Sequence, residues 1–333
     1  MAAKTKPSPP LTAEMPVAAA IRAILRHNLE AMLAHQELAR DGADIEGVHQ
    51  MRVALRRMRS ALSLFRAVLD RAQALAWREQ MRELAGQLGR ARDLDVFIDE
   101  GLADTAGKLP LSGEAALREL ALARRAQVYA SEVRPMLESD SYRHFCAEFP
   151  RWIEQGIEVT EPKPNPEIGS ETGSQTGFGT GVETGPHRAR GKGARKLARP
   201  ILASARKLLD KQERRVLDAG TAVNRHDAPA MHQLRIECKK LRYAAEFFRP
   251  LFTDMGEFIR CMKGIQDLLG VMNDLALTQG LLDDLLSNTP EDRDLQRFAG
   301  ALIGWRSYHF HRLLEDFDNR WEALVAARRP WWD

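Results

Sequence analysis

Apolar residues recur three and four positions apart along most of the chain, and alternating strand-like patterns are missing. Ala, Leu, Arg and Glu, all good helix formers apart from their neighbours, fill these periodic stretches. The pattern predicts an all-α protein. Four helical stretches span about 16–40, 46–70, 72–104 and 113–155, and four more span about 196–220, 228–251, 254–288 and 290–328. Residues 1–16, with several prolines and no periodic apolar face, read as a disordered amino-terminal tail.

The periodicity stops between the two groups of helices. There the sequence runs "EPKPNPEIGSETGSQTGFGTGVETGPHRARGKG", rich in Gly, Thr, Ser and Pro, with "ETG" repeated. Such a segment cannot bury enough apolar surface to offset the entropy of ordering it, so 156–195 is expected to be a disordered linker between halves 17–155 and 196–333. Its last part, Arg188 to Arg199, holds six basic residues and no acid, which a solvated charge run explains.

The halves are copies of one another. "VHQMRVALRRMRSALSLFRAVL" (48–69) aligns with "MHQLRIECKKLRYAAEFFRPLF" (231–252) at an offset of 183. "LAGQLGRARDLD" (84–95) aligns with "IQDLLGVMNDLA" (265–276) at an offset of 181, and the two-residue slip is expected in the intervening loop. The second offset also sets Arg82 on Lys263 and Arg125 on Arg306. Each half therefore reads as one four-helix unit.

At about 100° per residue, His49, Arg52, Arg56 and Arg59 share one helix face, and Met51, Leu55, Met58, Leu62 and Phe65 share the opposite one. In the second copy His232, Arg235, Lys239 and Arg242 oppose Leu234, Cys238, Leu241, Ala245 and Phe248. Arg57 and Lys240 flank the basic face. Only 7 of 22 aligned positions are identical, yet every basic position stays basic. Like charges so arranged repel one another unless something negative lies opposite. Asp93, Asp95, Asp267 and Asp274 could supply that from within the chain, and an external polyanion could supply it from without. Stripe residues one helical turn apart, about 5.4 Å, suit a linear ligand with regularly spaced phosphates. A reader of nucleic-acid bases would add amides or stacking aromatics, and the stripes offer only Gln50, Gln233 and Tyr243. Asp44 and Asp227 precede the two helices as candidate N-caps and place the histidines in the first turn, where free amides favour an anion.

Composition narrows the choice. Against 49 Lys and Arg stand 46 Asp and Glu, a formal charge of +3, so any anion site must come from local sorting of charge and not from bulk basicity. Cys146, Cys238 and Cys261 form no CxxC pair, which argues against a disulfide scaffold or a zinc site and suits a reducing compartment. No apolar run approaches the roughly 18 residues of a membrane span, and no leader pattern opens the chain. A cytoplasmic protein without a membrane partner is expected. "RDLD" (92–95) and Asp283-Asp284 are weak magnesium candidates, and phosphate-loop and hydrolase motifs are absent. Neither metal nor cofactor is expected.

In "VHQMRVALRRMR", "LGRARDLDV", "MHQLRIECKKLRYAAEFF" and "IQDLLGVMNDLA", taken in this order and duplicated, the chain resembles the CHAD domain, the conserved histidine α-helical domain. The resemblance covers roughly 17–155 and 196–330. It implies two four-helix bundles related by a pseudo-twofold axis, with a basic groove between them that binds inorganic polyphosphate, and in some members an association with polyphosphate granules. Carried over by position, it implies ligand contacts at His49, Arg52, Arg56, Arg59, His232, Arg235, Lys239 and Arg242. Arg57, Lys240, Arg82, Lys263, Arg125 and Arg306 form a second tier. Some relatives join this domain to a triphosphatase-like CYTH domain, whose acidic strand pattern is missing here, and the Gly/Thr linker departs from the family pattern. The expected function is binding without catalysis. Two rivals stand beside it: a polyphosphate phosphatase or phosphotransferase using His49 or His232, and an adaptor for nucleic acid or acidic proteins.

Overall fold

The periodic stretches fold as α-helices in a computed structural model that describes residues 9–157, 195–221, 223–225, 227–287 and 292–333. In the first half these are α1 (Val17–Leu33), α2 (Gln36–Asp41), α3 (Glu46–Leu64), α4 (Arg71–Gln87), α5 (Gly89–Val96), α6 (Glu114–Val128), α7 (Arg134–Glu138) and α8 (Asp140–Gln155). In the second they are α9 (Ile201–Gly220), α10 (Ala228–Phe248), α11 (Met255–Leu286), α12 (Arg293–Glu315) and α13 (Phe317–Ala326). The fold is all-α, and the extended pairing among the described residues is an isolated bridge between Pro16 and Pro200.

Several expected helices are broken into shorter ones, each for a local reason. The first stops at Ala34, and His35 Nδ1 lies 2.7 Å from the Ala31 carbonyl at the break. The third breaks at Leu88 and runs on from α5 into a π-helical turn, Phe97–Leu102. The fourth passes through a second π turn, Tyr129–Val133, and restarts where the Ser139 hydroxyl accepts from the Tyr142 amide. The two-residue slip does not sit in the loop where it was expected. The α3–α4 and α10–α11 connections, 65–70 and 249–254, are equal in length, so the slip lies further on, where α4 and α5 are separate helices and α11 is continuous.

The tail expectation also needs correction. Residues 9–16 are packed: Leu11 is buried, the Val17 amide donates to the Arg199 carbonyl at 2.9 Å and the Ile201 amide to the Met15 carbonyl at 2.8 Å. Prolines that cannot join a helix can still hold an extended segment at a helix entrance. Residues 1–8 and the bulk of the linker, 158–194, lie outside the described residues.

The apolar faces read from the sequence are the core. Met51, Leu55, Met58, Leu62 and Phe65 on α3, and Leu234, Cys238, Leu241, Ala245 and Phe248 on α10, are all at most 3% exposed. α3 packs on α1 and α4, as α10 packs on α9 and α11, and α3 also meets α10 directly. The halves therefore share one continuous core, from Leu11 to Trp331. A smaller cluster adds Phe97, Leu102 and Leu117 of the first half to Leu282, Phe298 and Leu302 of the second. Gly47 carries the close crossing of α3 over α2, where a Cβ would come within 2.4 Å of the Ala39 nitrogen. At the carboxyl end Trp331 is buried against Phe258, while Trp332 is 65% exposed.

Phe248 meets Phe65 edge-on across the seam between the halves, with ring centroids 6.1 Å apart. Phe248→Ala is expected to cost about 3–5 kcal/mol of stability, read as a lowered midpoint in urea denaturation followed by circular dichroism.

Candidate functional site

The α3 stripe is positioned from both ends of its helix. At the amino end, Asp44 Oδ1 accepts from the Glu46 amide at 2.8 Å, and Asp227 does the same for the Ala230 amide of α10 at 3.2 Å. The histidines lie just beyond the first turn, not within it. The His49 amide already donates to the Ile45 carbonyl at 3.2 Å, so it is not among the free amides of the helix end. His49 is half-buried and His232 exposed.

Around the stripe the fold gathers like charge. Arg52, Arg56 and Arg59 of α3 are half-buried, and Arg78 and Arg82 of α4 and Arg92 of α5 come into electrostatic range. Arg52 Nη1 donates to the Ala85 carbonyl in the last turn of α4, where the helix dipole favours a cation. Its guanidinium lies against Gly89, where a Cβ would stand 3.3 Å from Nη1. Burial, with Arg56 and Arg92 beside it, pulls the Arg52 pKa below the usual arginine value against an opposing pull from Asp93. Burial likewise lowers Arg59, and Arg78, Arg82 and Arg56 lower it further, with Glu79 opposing. Both groups still carry their charge at neutral pH, because a guanidinium does not deprotonate there. In both groups burial is the largest cause of the depression and the neighbouring guanidiniums add to it, so a bound anion would favour both charges.

Arg78 and Arg92 were not singled out from the sequence. Both were legible in part: Arg78 stands four residues before Arg82, hence on its face of α4, and Arg92 lies inside the repeated "GRARDLD" motif.

The α10 stripe is less uniformly basic. Arg235 and Lys239 are half-buried. Arg242 Nη1 pairs with Glu246 at 3.1 Å, and Lys240 Nζ with Glu237 at 2.7 Å.

The second tier is mostly engaged inside the protein. Arg57 crosses the seam to pair with Glu246, donates from Nε to Asn28 at 2.8 Å and stacks 5.1 Å from the Phe247 ring centre. Arg125 donates to buried Asp95 at 2.7 Å and to the Gly42 carbonyl at 2.8 Å, with Tyr129 completing the cluster from its hydroxyl to Asp95 at 2.9 Å. Arg306 donates to Thr278 at 2.8 Å and lies over Gly101 of the first half. These three hold the structure together and are not on the stripe. Arg82 is exposed and paired with Glu79, and Lys263 is exposed on α11.

Among the described residues no group of three or more His, Cys, Asp or Glu could hold a metal ion, and no helix is long and apolar enough to cross a membrane.

The family model for the CHAD domain matches residues 23–283. Among solved structures, the crystal structure of the CHAD domain from the plant Ricinus communis is similar to the chain, with 24% identity and a TM-score of 0.74, over 98% of this chain and 99% of that one. PptA from Streptomyces chartreusis is similar at 16% identity and a TM-score of 0.55, over 92% of this chain and 100% of that one. At these identities the likeness is one of fold. No curated protein matches the chain.

If Arg125 is structural, its loss leaves Asp95 buried without its cation. Arg125→Met is expected to cost about 3–5 kcal/mol, measured by urea denaturation, and to change polyanion affinity no more than partial unfolding explains.

Proposed function

The chain belongs to the CHAD domain family, and from that premise we propose that it binds inorganic polyphosphate along its basic helix stripes without altering it chemically. The observation that carries this reading is the crowding of Arg52, Arg56, Arg59, Arg78 and Arg92 around one helix face, with two of these guanidiniums pushed below their ordinary pKa. A fold that only needed a wet surface would gain by scattering these charges, or by pairing the others as Arg92 is paired with Glu100 at 3.6 Å. One that must hold a chain of phosphates benefits from a field already assembled, because no reorganisation is then needed on binding.

The ligand is a bare phosphate chain because the stripe offers forked guanidiniums at helical spacing and little that could read a base. α10 meets α3 at the seam between the halves. There equivalent residues of the halves touch each other, Phe65 with Phe248 and Pro16 with Pro200, as a pseudo-twofold pairing of the bundles requires. His49 and His232 act in this reading as additional hydrogen-bond donors to phosphate, not as phosphoryl acceptors. Capture of this kind would place the protein on polyphosphate granules.

Each phosphate neutralised by a stripe cation releases counterions, so affinity is expected to fall steeply with salt. Arg56→Glu combined with Lys239→Glu should abolish binding of long-chain polyphosphate in a titration at two salt concentrations while the helical circular dichroism signal is kept; unchanged affinity would sink the proposal. RNA at equal phosphate concentration should fail to displace polyphosphate, and displacement would favour a nucleic-acid ligand. Polyphosphate incubated with the protein and magnesium should keep its length on a gel, and shortening would mean an enzyme.

A further inference from the structure

The duplication is broken at one place, and the break leaves a second basic feature. α1 and α9 begin directly after Pro16 and Pro200, which pair with each other at an offset of 184, and α3 and α10 correspond at 183. On these offsets Ser60 and Ser63 answer to Tyr243 and Glu246, and Lys211 and Arg215 of α9 answer to His27 and Ala31 of α1. Around the two serines a recess opens between α3, α9 and α10, lined also by Arg66, Lys211, Arg215 and Lys240. At the corresponding place in the other half, the Glu246 carboxylate takes both Arg57 and Arg242, and Tyr243 and Phe247 cover the Arg57 guanidinium at 5.8 and 5.1 Å. One side thus carries two small hydroxyls and two added cations, and the other a carboxylate and an aromatic ring.

The recess keeps its charge. Arg66, Lys211 and Arg215 make no ion pair among the described residues. Lys240 is held by buried Glu237, which also accepts from Gln212 at 2.7 Å. Burial pushes the Glu237 carboxyl up, but the bonds from Lys240 and Gln212 and the charges of Lys240 and Arg215 outweigh it and leave the group below its ordinary pKa. Four cations therefore line the recess, Lys240 among them paired with Glu237, and the two serine hydroxyls add rotatable donors. Ser63 lies one helical turn beyond Arg59 on the stripe face of α3, so the recess stands at the carboxyl end of that stripe.

We propose that this recess is a second anion subsite that seats a compact oligophosphate group, either a short free oligophosphate or the end of a longer chain whose body lies along the α3 stripe. The inference rests on reading that stripe as a phosphate track. Its residues Lys211 and Arg215 lie outside the repeated motifs, and the subsite exists once per chain because Glu246 fills its counterpart.

Calorimetric titration of the full chain with tripolyphosphate and with long-chain polyphosphate separates the two sites. Lys211→Gln combined with Arg215→Gln should weaken tripolyphosphate binding by about tenfold or more and long-chain binding by only about threefold. In the Arg56→Glu/Lys239→Glu background, tripolyphosphate should still bind and long chains should not. The exposed Arg66→Gln gives an independent reading, with a loss of about threefold for tripolyphosphate expected even if the double variant folds poorly. Unchanged tripolyphosphate affinity in both recess variants, or equal losses for the two ligands, overturns the subsite. Normal long-chain binding by the stripe variant, with tripolyphosphate binding lost in the recess variants, overturns the track and keeps the subsite.

Discussion

The two basic helices, α3 and α10, are held against each other at one seam. Phe65 and Phe248 close it with an edge-on ring contact, and Arg57 ties it with an ion pair to Glu246. Because α3 also packs on α1 and α4, and α10 on α9 and α11, the seam fixes both stripes at once. A helix pair joined only by loops would leave the stripes free to turn away from each other. A pair sharing one core cannot, because turning either helix would expose its buried face.

That constraint explains how the protein tolerates its own repulsion. Neighbouring stripe charges about 5–6 Å apart repel by about 1–3 kcal/mol per pair across the range of dielectric found near a protein surface. Five apolar side chains on the opposite face of α3 are buried, each contributing about 1.5–3 kcal/mol. The core side of the helix outweighs the charged side, so the fold can hold these cations half-buried and side by side. Binding sites assembled in this way carry their cost in the free protein and recover it when the ligand arrives.

The two copies have diverged unevenly around this frame. An acid stands in the second stripe at Glu246, where the first has Ser63, and another stands on its buried side at Glu237, where the first has Ala54. Glu246 takes a flanking arginine, Arg57, across the seam, and Glu237 holds Lys240 within its own helix at the wall of the recess. Resemblance between copies is therefore a guide to which positions were basic from the start, and not to which charges are still available to a ligand.

The sequence by itself determined the helical class, the two-copy plan, the buried face of each repeated helix and the cations of the opposite face. These follow from spacing along one helix, which is local and periodic. It misplaced the histidines by part of a turn, took residues 9–16 for a loose tail, and ranked Arg125 and Arg306 as ligand candidates. Helix breaks at Leu88 and at the π turns depend on what packs against them, and Arg125 was assigned by alignment although its carboxylate partner, Asp95, lies thirty positions earlier on a different helix. Only the tertiary structure decided which charges face one another. It brought Arg78 and Arg92 to the α3 stripe, gave Arg57 to Glu246 and set Lys211 and Arg215 beside Ser63, because Coulomb interactions depend on distance in space, and distances between helices are set by how their apolar faces fit.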